Sequence, residues 1–294
     1  MAIAEELLTV AAVARRVGVA PATLRTWDRR YGLGPSTHKA GAHRRYSALD
    51  VARLMLMRRL ISTGVAPSDA AEKAKLHKGK ARVAAINHNF ESRDDLVKAI
   101  YKAAQNFDKA FIESELGKDL AQHGADSAWS HVIAPVLMLI GKTWEETGKG
   151  IEAEHLLTEI IKGVLRDSVS TIKDPHNAHP VLLAAVGEEL HCLALHALAA
   201  ALAERRIETH FLGSRTPLVA IAGMVKRSAP PAVFLWAQLT ENAHSQYFRD
   251  LPVVRPAPRI VLGGPGWNRN ECQGVVLAQD IEQACAEIER AVGL

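Results

Sequence analysis

From residue 180 to the end of the chain, short apolar runs alternate with longer amphipathic stretches, and this restricts the fold more than any other feature. The run 180–186, Pro-Val-Leu-Leu-Ala-Ala-Val, has the length and content of a fully buried strand. Further strands are expected at 207–212, 232–235 and 259–262. Helices are expected between and after them, at 188–205, 216–227, roughly 241–249 and 278–292. Strands that alternate with helices imply a doubly wound parallel sheet. Ligands of such sheets bind at the carboxyl ends of the strands. Glu189-Leu190-His191 follows the first strand and Gly263-Gly264 follows a later one, so both fall at that edge.

The middle of the chain carries a different period. Leu96, Ile100, Ala103, Ala104, Phe107 and Phe111 recur at three and four, as do Val132, Val136, Leu139, Ile140 and Thr143. Leu156, Leu157, Ile160, Ile161, Val164 and Leu165 repeat the pattern. Four helices follow, near 92–104, 106–122, 126–148 and 151–172, and their short connections predict a compact bundle. Trp144 ends the third helix, before Gly148-Lys149-Gly150, and Glu154 and His155 lie early on the fourth. Across a helical hairpin these three side chains can converge on one end of the bundle. Alone, each reads as a core tryptophan or a solvated helix surface.

Charge separates the first 75 residues from the rest. They hold 13 Lys and Arg against 6 Asp and Glu, a balance of +7, while the whole chain carries +4. A basic head on a slightly acidic body suggests nucleic-acid binding, and the local pattern supports it. Thr9 is placed to cap a helix that Gly18 stops, and Pro21 opens a second short helix. Two short helices around a glycine turn make a helix-turn-helix. Leu24 and Trp27 then face the core, and Thr23 and Arg25 face outward. The basic, Gly/Pro-punctuated stretch 32–47 reads as a two-stranded wing, with Ser47 or Asp50 capping a helix at 51–63. A last small helix spans 68–75.

Composition closes several alternatives. At 48% hydrophobic and 23% charged residues, the chain is not broadly disordered. The longest apolar candidate, 132–140, holds a proline and is too short to span a bilayer. Glu5 and Glu6 stand where a signal peptide carries positive charge, so a cytoplasmic location is expected. Cys192, Cys272 and Cys285 form no CxxC pair, which argues against a disulfide scaffold or a cysteine zinc site. His191 and His196 are not four apart, so they do not share a helix face as a metal pair. Nucleophile-elbow, P-loop and dinucleotide-binding motifs are all missing, and no enzymatic activity is expected.

The segments TLRTWDRRYGL (23–33) and HRRYS (43–47) resemble the mercury-resistance-regulator (MerR) family of transcription factors. The resemblance implies a winged head that binds double-stranded operator DNA as a homodimer or higher homo-oligomer. DNA contacts are then expected from Thr23, Arg25, Arg29, Arg30, His43, Arg44, Arg45 and Tyr46. The remaining chain resembles the cobalamin-binding module, a four-helix cap before a Rossmann-like domain, and most of all the light-responsive repressors that join it to a MerR-type head.

That resemblance places Trp144, Glu154 and His155 on the motif above the corrin and His191 as the lower axial ligand of cobalt, with Glu189 holding its other nitrogen. Gly263 and Gly264 match paired glycines that let the nucleotide tail approach the backbone. Two positions depart from the pattern: Ala194 replaces a glycine, and Trp236 begins a Trp-Ala-Gln-Leu segment where a buried tail needs small residues, so Trp236 is expected to take up tail space. The expected fold is multidomain α and α/β: a winged helix-turn-helix head over 1–76, a linker over 77–91, a four-helix bundle over 92–175 and a Rossmann-like doubly wound parallel sheet over 178–294. The expected function is corrinoid-controlled repression, with adenosylcobalamin as cofactor and light as a stimulus. A regulator of the same fold that has lost the corrinoid is the alternative, and a corrinoid carrier for methyl transfer is disfavoured by the head.

Overall fold

The computed structural model describes residues 7–36, 44–77, 90, 92–170 and 172–294. The chain divides into two compact units, Met1–Phe111 and Ile112–Leu294.

The first unit starts with a two-residue strand β1 (Leu8–Thr9), then α1 (Val10–Val17) and α2 (Pro21–Tyr31). Thr9 caps α1 by accepting the Ala12 N–H at 3.3 Å, and Gly18 ends it at φ +71°, a left-handed conformation that favours glycine. Strand β2 (Arg45–Tyr46) precedes α3 (Ala48–Ser62) and α4 (Pro67–Lys75). Ser47 and Asp50 form a reciprocal capping box, so α3 begins three residues before its apolar period. Val13, Leu24, Trp27, Leu54, Met57 and Leu60 anchor the core. Within 32–47 the only described strand is β2, and it pairs antiparallel with β1, Leu8 opposite Tyr46. The remainder of the expected wing, 37–43, lies outside the described residues.

Helix α5 (Arg93–Gln105) belongs to this unit, and α6 (Lys109–His123) starts at its end and runs into the next. A short α7 (Ala125–Ala128), a π turn (Trp129–Ile133) and α8 (Ala134–Thr147) replace the single third helix read from sequence. Pro135 lacks an N–H, and the π turn lies just ahead of it. Helix α9 (Ile151–Val169) forms a hairpin with α8 across Gly148 and Gly150.

The sheet of the second unit contains β3 (Val181–Val186), β4 (Thr209–Thr216), β5 (Ala232–Trp236), β6 (Arg259–Gly263) and β7 (Val276–Leu277), in the order β4-β3-β5-β6-β7 with every pair parallel. All six residues of β3 are buried, as expected of a central strand covered on both faces. Helices α10 (Leu193–Glu204), α11 (Leu218–Ser228), α12 (Gln246–Arg249) and α13 (Ile281–Val292) follow the strands, and α9 packs along α10. The order reverses at β3, which has β4 on one side and β5 on the other. That reversal opens a crevice at the carboxyl ends of β3 and β5. Helix α10 begins at Leu193 rather than 188 because the backbone of 187–191 bonds outward. Gly187 donates to Thr216, Arg215 donates to the Glu189 carbonyl, and His191 donates to the Glu189 carboxylate.

Candidate functional site

The head presents one helix face and one strand edge. Leu24 and Trp27 are buried, while Arg25, Arg29 and Arg30 are exposed and Thr23 is half-buried on the same helix. Arg45 is exposed on β2. Arg44 is half-buried, with Nε 3.2 Å from an oxygen of Asp28 on α2. Asp50 accepts from Ser36 N and Oγ, both at 3.2 Å, and from Ser47 N at 2.9 Å. Asp28 and Asp50 thus fix the chain on both sides of 37–43, a role with no local sequence signal. His43 lies outside the described residues.

Tyr46 corrects the expectation of a phosphate contact. Its side chain is 0% exposed, and its hydroxyl has no hydrogen-bond partner among the described residues. Burial, and then the Asp28 carboxylate, push its pKa above the ordinary tyrosine value, so the hydroxyl keeps its proton. Pairing of β2 with β1 turns this position inward, where a strand of alternating faces must put one residue. Tyr46→Phe is therefore expected to leave thermal stability unchanged or raise it by up to ~1 kcal/mol, since it removes an unpaired buried group. DNA affinity in a gel shift should also be unchanged, and a loss of affinity without loss of fold would restore the contact role.

In the second unit the loops after β3 and β5 meet on one carboxylate. Glu189 is 0% exposed. Its Oε2 accepts from Gln238 N and Leu239 N, both at 2.9 Å, and from Asn242 Nδ2 at 3.2 Å. Its Oε1 accepts from His191 N at 2.9 Å and His191 Nδ1 at 2.6 Å. Burial raises the pKa of this carboxyl, but donors from Leu239, His191 and Asn242 outweigh it and hold the group at about 2. A carboxylate only accepts, so His191 Nδ1 is the donor, which fixes the neutral ring in the tautomer whose Nε2 has the lone pair. The His191 side chain is 60% exposed, which leaves Nε2 accessible.

Arg215 braces the same loop from β4. Its N–H donates to the Glu189 carbonyl at 2.9 Å and its guanidinium pairs with Glu188. Its φ of +53° is a left-handed conformation that costs a non-glycine residue roughly 1 kcal/mol. Sequence reading found Glu189 and His191 and marked the segment holding Gln238 and Leu239, but it missed Arg215 and Asn242 and did not show that these four residues, 26 or more positions from Glu189, bond to it.

Trp144 in the last turn of α8 is 48% exposed, and across the hairpin Glu154 lies in the first turn of α9 with His155 directly after it. His155 Nδ1 lies 2.8 Å from the Ile151 carbonyl. It is therefore the donor, and the neutral ring in this tautomer has its lone pair on Nε2, on an exposed side chain. His196, by contrast, is buried against Phe211 with ring centroids 4.4 Å apart. Burial, with Arg166 and Lys162, pushes its pKa down to about 4 and keeps it neutral. Among the described residues no cluster of three or more His, Cys, Asp or Glu could hold a bare metal ion.

Gly263 and Gly264 are required by the fold itself. A Cβ on Gly263 would sit 2.3 Å from the Phe234 ring, and one on Gly264, at φ +101°, would sit 2.2 Å from the Ala237 carbonyl oxygen. Beside them a cavity of about 420 Å³ opens between the sheet and helices α10 and α13, walled by Ala194, Phe234 and Trp236 together with these glycines. That volume lies in the ~300–1,000 Å³ range of small-molecule sites. Trp236 is a wall of this space and does not close it. The residues fit a corrinoid: one oriented imidazole with a free nitrogen, a second on the hairpin, and a tail-sized cavity.

A helix-turn-helix head ahead of a helical segment and a flavodoxin-like sheet with an imidazole at its switch point defines a DNA-binding regulator of the ligand-sensing kind. Comparison with known proteins places it further. Residues 8–76 match the MerR HTH family of regulatory proteins, so the head is a MerR-type domain. Over 269 residues the chain is 28% identical to the HTH-type transcriptional repressor CarH of Myxococcus xanthus, spanning 90% of this chain and 89% of that protein. It is 24% identical over 264 residues to the repressor CarA of the same organism, spanning 88% and 87%. The monomethylamine corrinoid protein of Methanosarcina barkeri superposes with a TM-score of 0.52 at 14% identity, covering 68% of this chain and 100% of that one, and shares the fold. Among the described residues, no helix is long and apolar enough to cross a membrane.

Proposed function

We propose that this chain is a transcriptional repressor that binds a two-fold operator as a homo-oligomer and is controlled by adenosylcobalamin and light. The observation that carries the reading is the Glu189–His191 pair, a buried carboxylate fixing the tautomer of an exposed imidazole beside a tail-sized cavity. Full-length similarity to CarH supports the repressor role. One head reads too few base pairs for useful specificity, and paired heads read a symmetric site. When bound, the cofactor supplies a photolabile cobalt–carbon bond. His191, oriented by Glu189, would be the side chain that ligates the cobalt, and Trp144 and His155 on the α8–α9 hairpin would be the side chains that contact the bound group. A ligand resets the hairpin only through its different affinity for the two arrangements.

The test incubates purified protein with adenosylcobalamin in the dark, desalts it, and records the visible spectrum and operator binding before and after illumination. A retained corrinoid spectrum and a light-dependent gel shift are expected; loss of the corrinoid on desalting removes the reading. In the same assay, Arg44→Ala with Arg45→Ala should weaken operator binding by at least ~10-fold and flatten its salt dependence by about two phosphate contacts. Unchanged affinity would remove β2 from the interface.

A further inference from the structure

The first unit has a cavity of its own, of about 380 Å³, between α1, α3 and the turn that joins α5 to α6. That volume suits a small molecule. Its wall has two parts. Val17, Leu56, Met55 and Phe107 make one part apolar, and Arg16, Arg58 and Arg59 make the other cationic. Met55 and Phe107 are 46% and 54% exposed, so the apolar part is accessible. Phe107 continues the apolar period of α5 but stands past its end, at φ +56°, a left-handed conformation that disfavours a bulky side chain.

The charge on this wall is not balanced. Asp108 is its one carboxylate among the described residues, and it is engaged twice: it lies 3.5 Å from Arg59 Nε and accepts from Phe111 N at 3.1 Å. Arg16 and Arg58 are both exposed, and neither has an ion pair or a side-chain hydrogen bond among the described residues. Arg58 is nevertheless held in place against α1. A Cβ on Gly18 would sit 2.9 Å from its Nη1, so the glycine that ends α1 also makes room for this guanidinium. Positioned, uncompensated cations beside an accessible apolar wall complement an anion that carries an apolar body. Operator phosphates fit less well, because the apolar part offers them nothing.

We propose that this cavity is a ligand site for a small carboxylate with an apolar body, a medium-chain acyl or arylalkyl acid, separate from the site at the sheet edge and independent of the corrinoid reading. The carboxylate pairs with Arg16 and Arg58, whose guanidinium groups present paired N–H donors that match its two oxygens. The hydrocarbon covers Met55, Leu56 and Phe107. Such a ligand touches α1, α3 and the turn into α6 together, and so stabilises the first unit in the arrangement that binds it.

The experiment titrates the full chain, prepared without corrinoid, with octanoate and with octan-1-ol by isothermal titration calorimetry. Octanol keeps the hydrocarbon and removes the charge. The wild type should bind octanoate saturably and at least ~10-fold more tightly than octanol. Arg16→Gln together with Arg58→Gln should weaken octanoate about tenfold and leave octanol unchanged. Melting curves of the unliganded proteins are recorded alongside. If the double variant melts lower than the wild type, Arg16→Gln alone, at an exposed position, carries the comparison. Equal affinity for acid and alcohol, or octanoate binding that neither variant weakens, would overturn the proposal. So would a loss of operator affinity in the variants without octanoate, which would assign these arginines to the DNA interface.

Discussion

Glu189→Ala is expected to be the most destabilising single substitution at the sheet edge, lowering the stability of the second unit by ~3–5 kcal/mol. Removing the carboxylate leaves the N–H groups of Gln238, Leu239 and His191 and the Asn242 amide without their acceptor, and opens a void at a position that is 0% exposed. For a unit of this size such a loss lowers the melting temperature by roughly 10 °C. Thermal unfolding followed by circular dichroism checks it, and a variant melting within ~2 °C of the wild type would show that the carboxylate does not join the two loops. The same group gives a pH signature. Its folded pKa, about 2, lies below the ordinary carboxyl value of 4.5, so its contribution is present above 4.5 and is lost as pH falls toward 2. Wild-type melting temperature should drop through that window, and the gap between wild type and Glu189→Gln should narrow with it.

What the sequence reveals and what it hides follow the distance over which each interaction acts. The caps at Thr9, Gly18 and Ser47 lie within four residues of the groups they bind and were legible as motifs. Strands β3, β5 and β6 were legible because a buried parallel strand is a continuous apolar run, while the half-buried edge strand β4 runs past the expected 212 to Thr216 through Gly-Ser-Arg, and β7, two residues long and half-buried, left no such run. Tyr46 was misread because its burial depends on pairing with Leu8, 38 positions earlier, and nothing local to HRRYS records which face turns inward. The Glu189–His191 pair was legible at a spacing of two, but its rigidity comes from Asn242 and two backbone N–H groups about 50 residues away. Trp236 looked like a plug because volume cannot be read from one strand. The cavity is enclosed by residues of α10, β5, β6 and α13, and only their packing shows that space remains beside the indole.

His191→Ala should separate cofactor binding from folding. The side chain is 60% exposed and its one side-chain bond among the described residues is to Glu189, which keeps its Gln238, Leu239 and Asn242 donors, and the His191 backbone N–H, when the ring is removed. Stability should therefore change by no more than ~0.5–1 kcal/mol, the usual range for an exposed position. On the proposed reading corrinoid affinity should fall at least ~100-fold, because the ring would supply the ligand atom itself, and even removing a partner that orients such a ring costs ~10–100-fold. The contrast with Glu189→Ala is the diagnostic. That change should lower stability and binding together, whereas His191→Ala should lower binding alone. Desalting after incubation with adenosylcobalamin, followed by visible spectra, measures the loss, and melting curves on the same samples report the fold. If His191→Ala retains the corrinoid with the wild-type spectrum, cobalt takes its lower ligand elsewhere, and the buried carboxylate braces the β3 and β5 loops with no part in metal ligation. If it retains the corrinoid with an altered spectrum, His191 is confirmed as the ligand and the Trp236 cavity carries the larger share of the affinity. The strength of binding then resides in the tail site and the state of the cobalt in the imidazole.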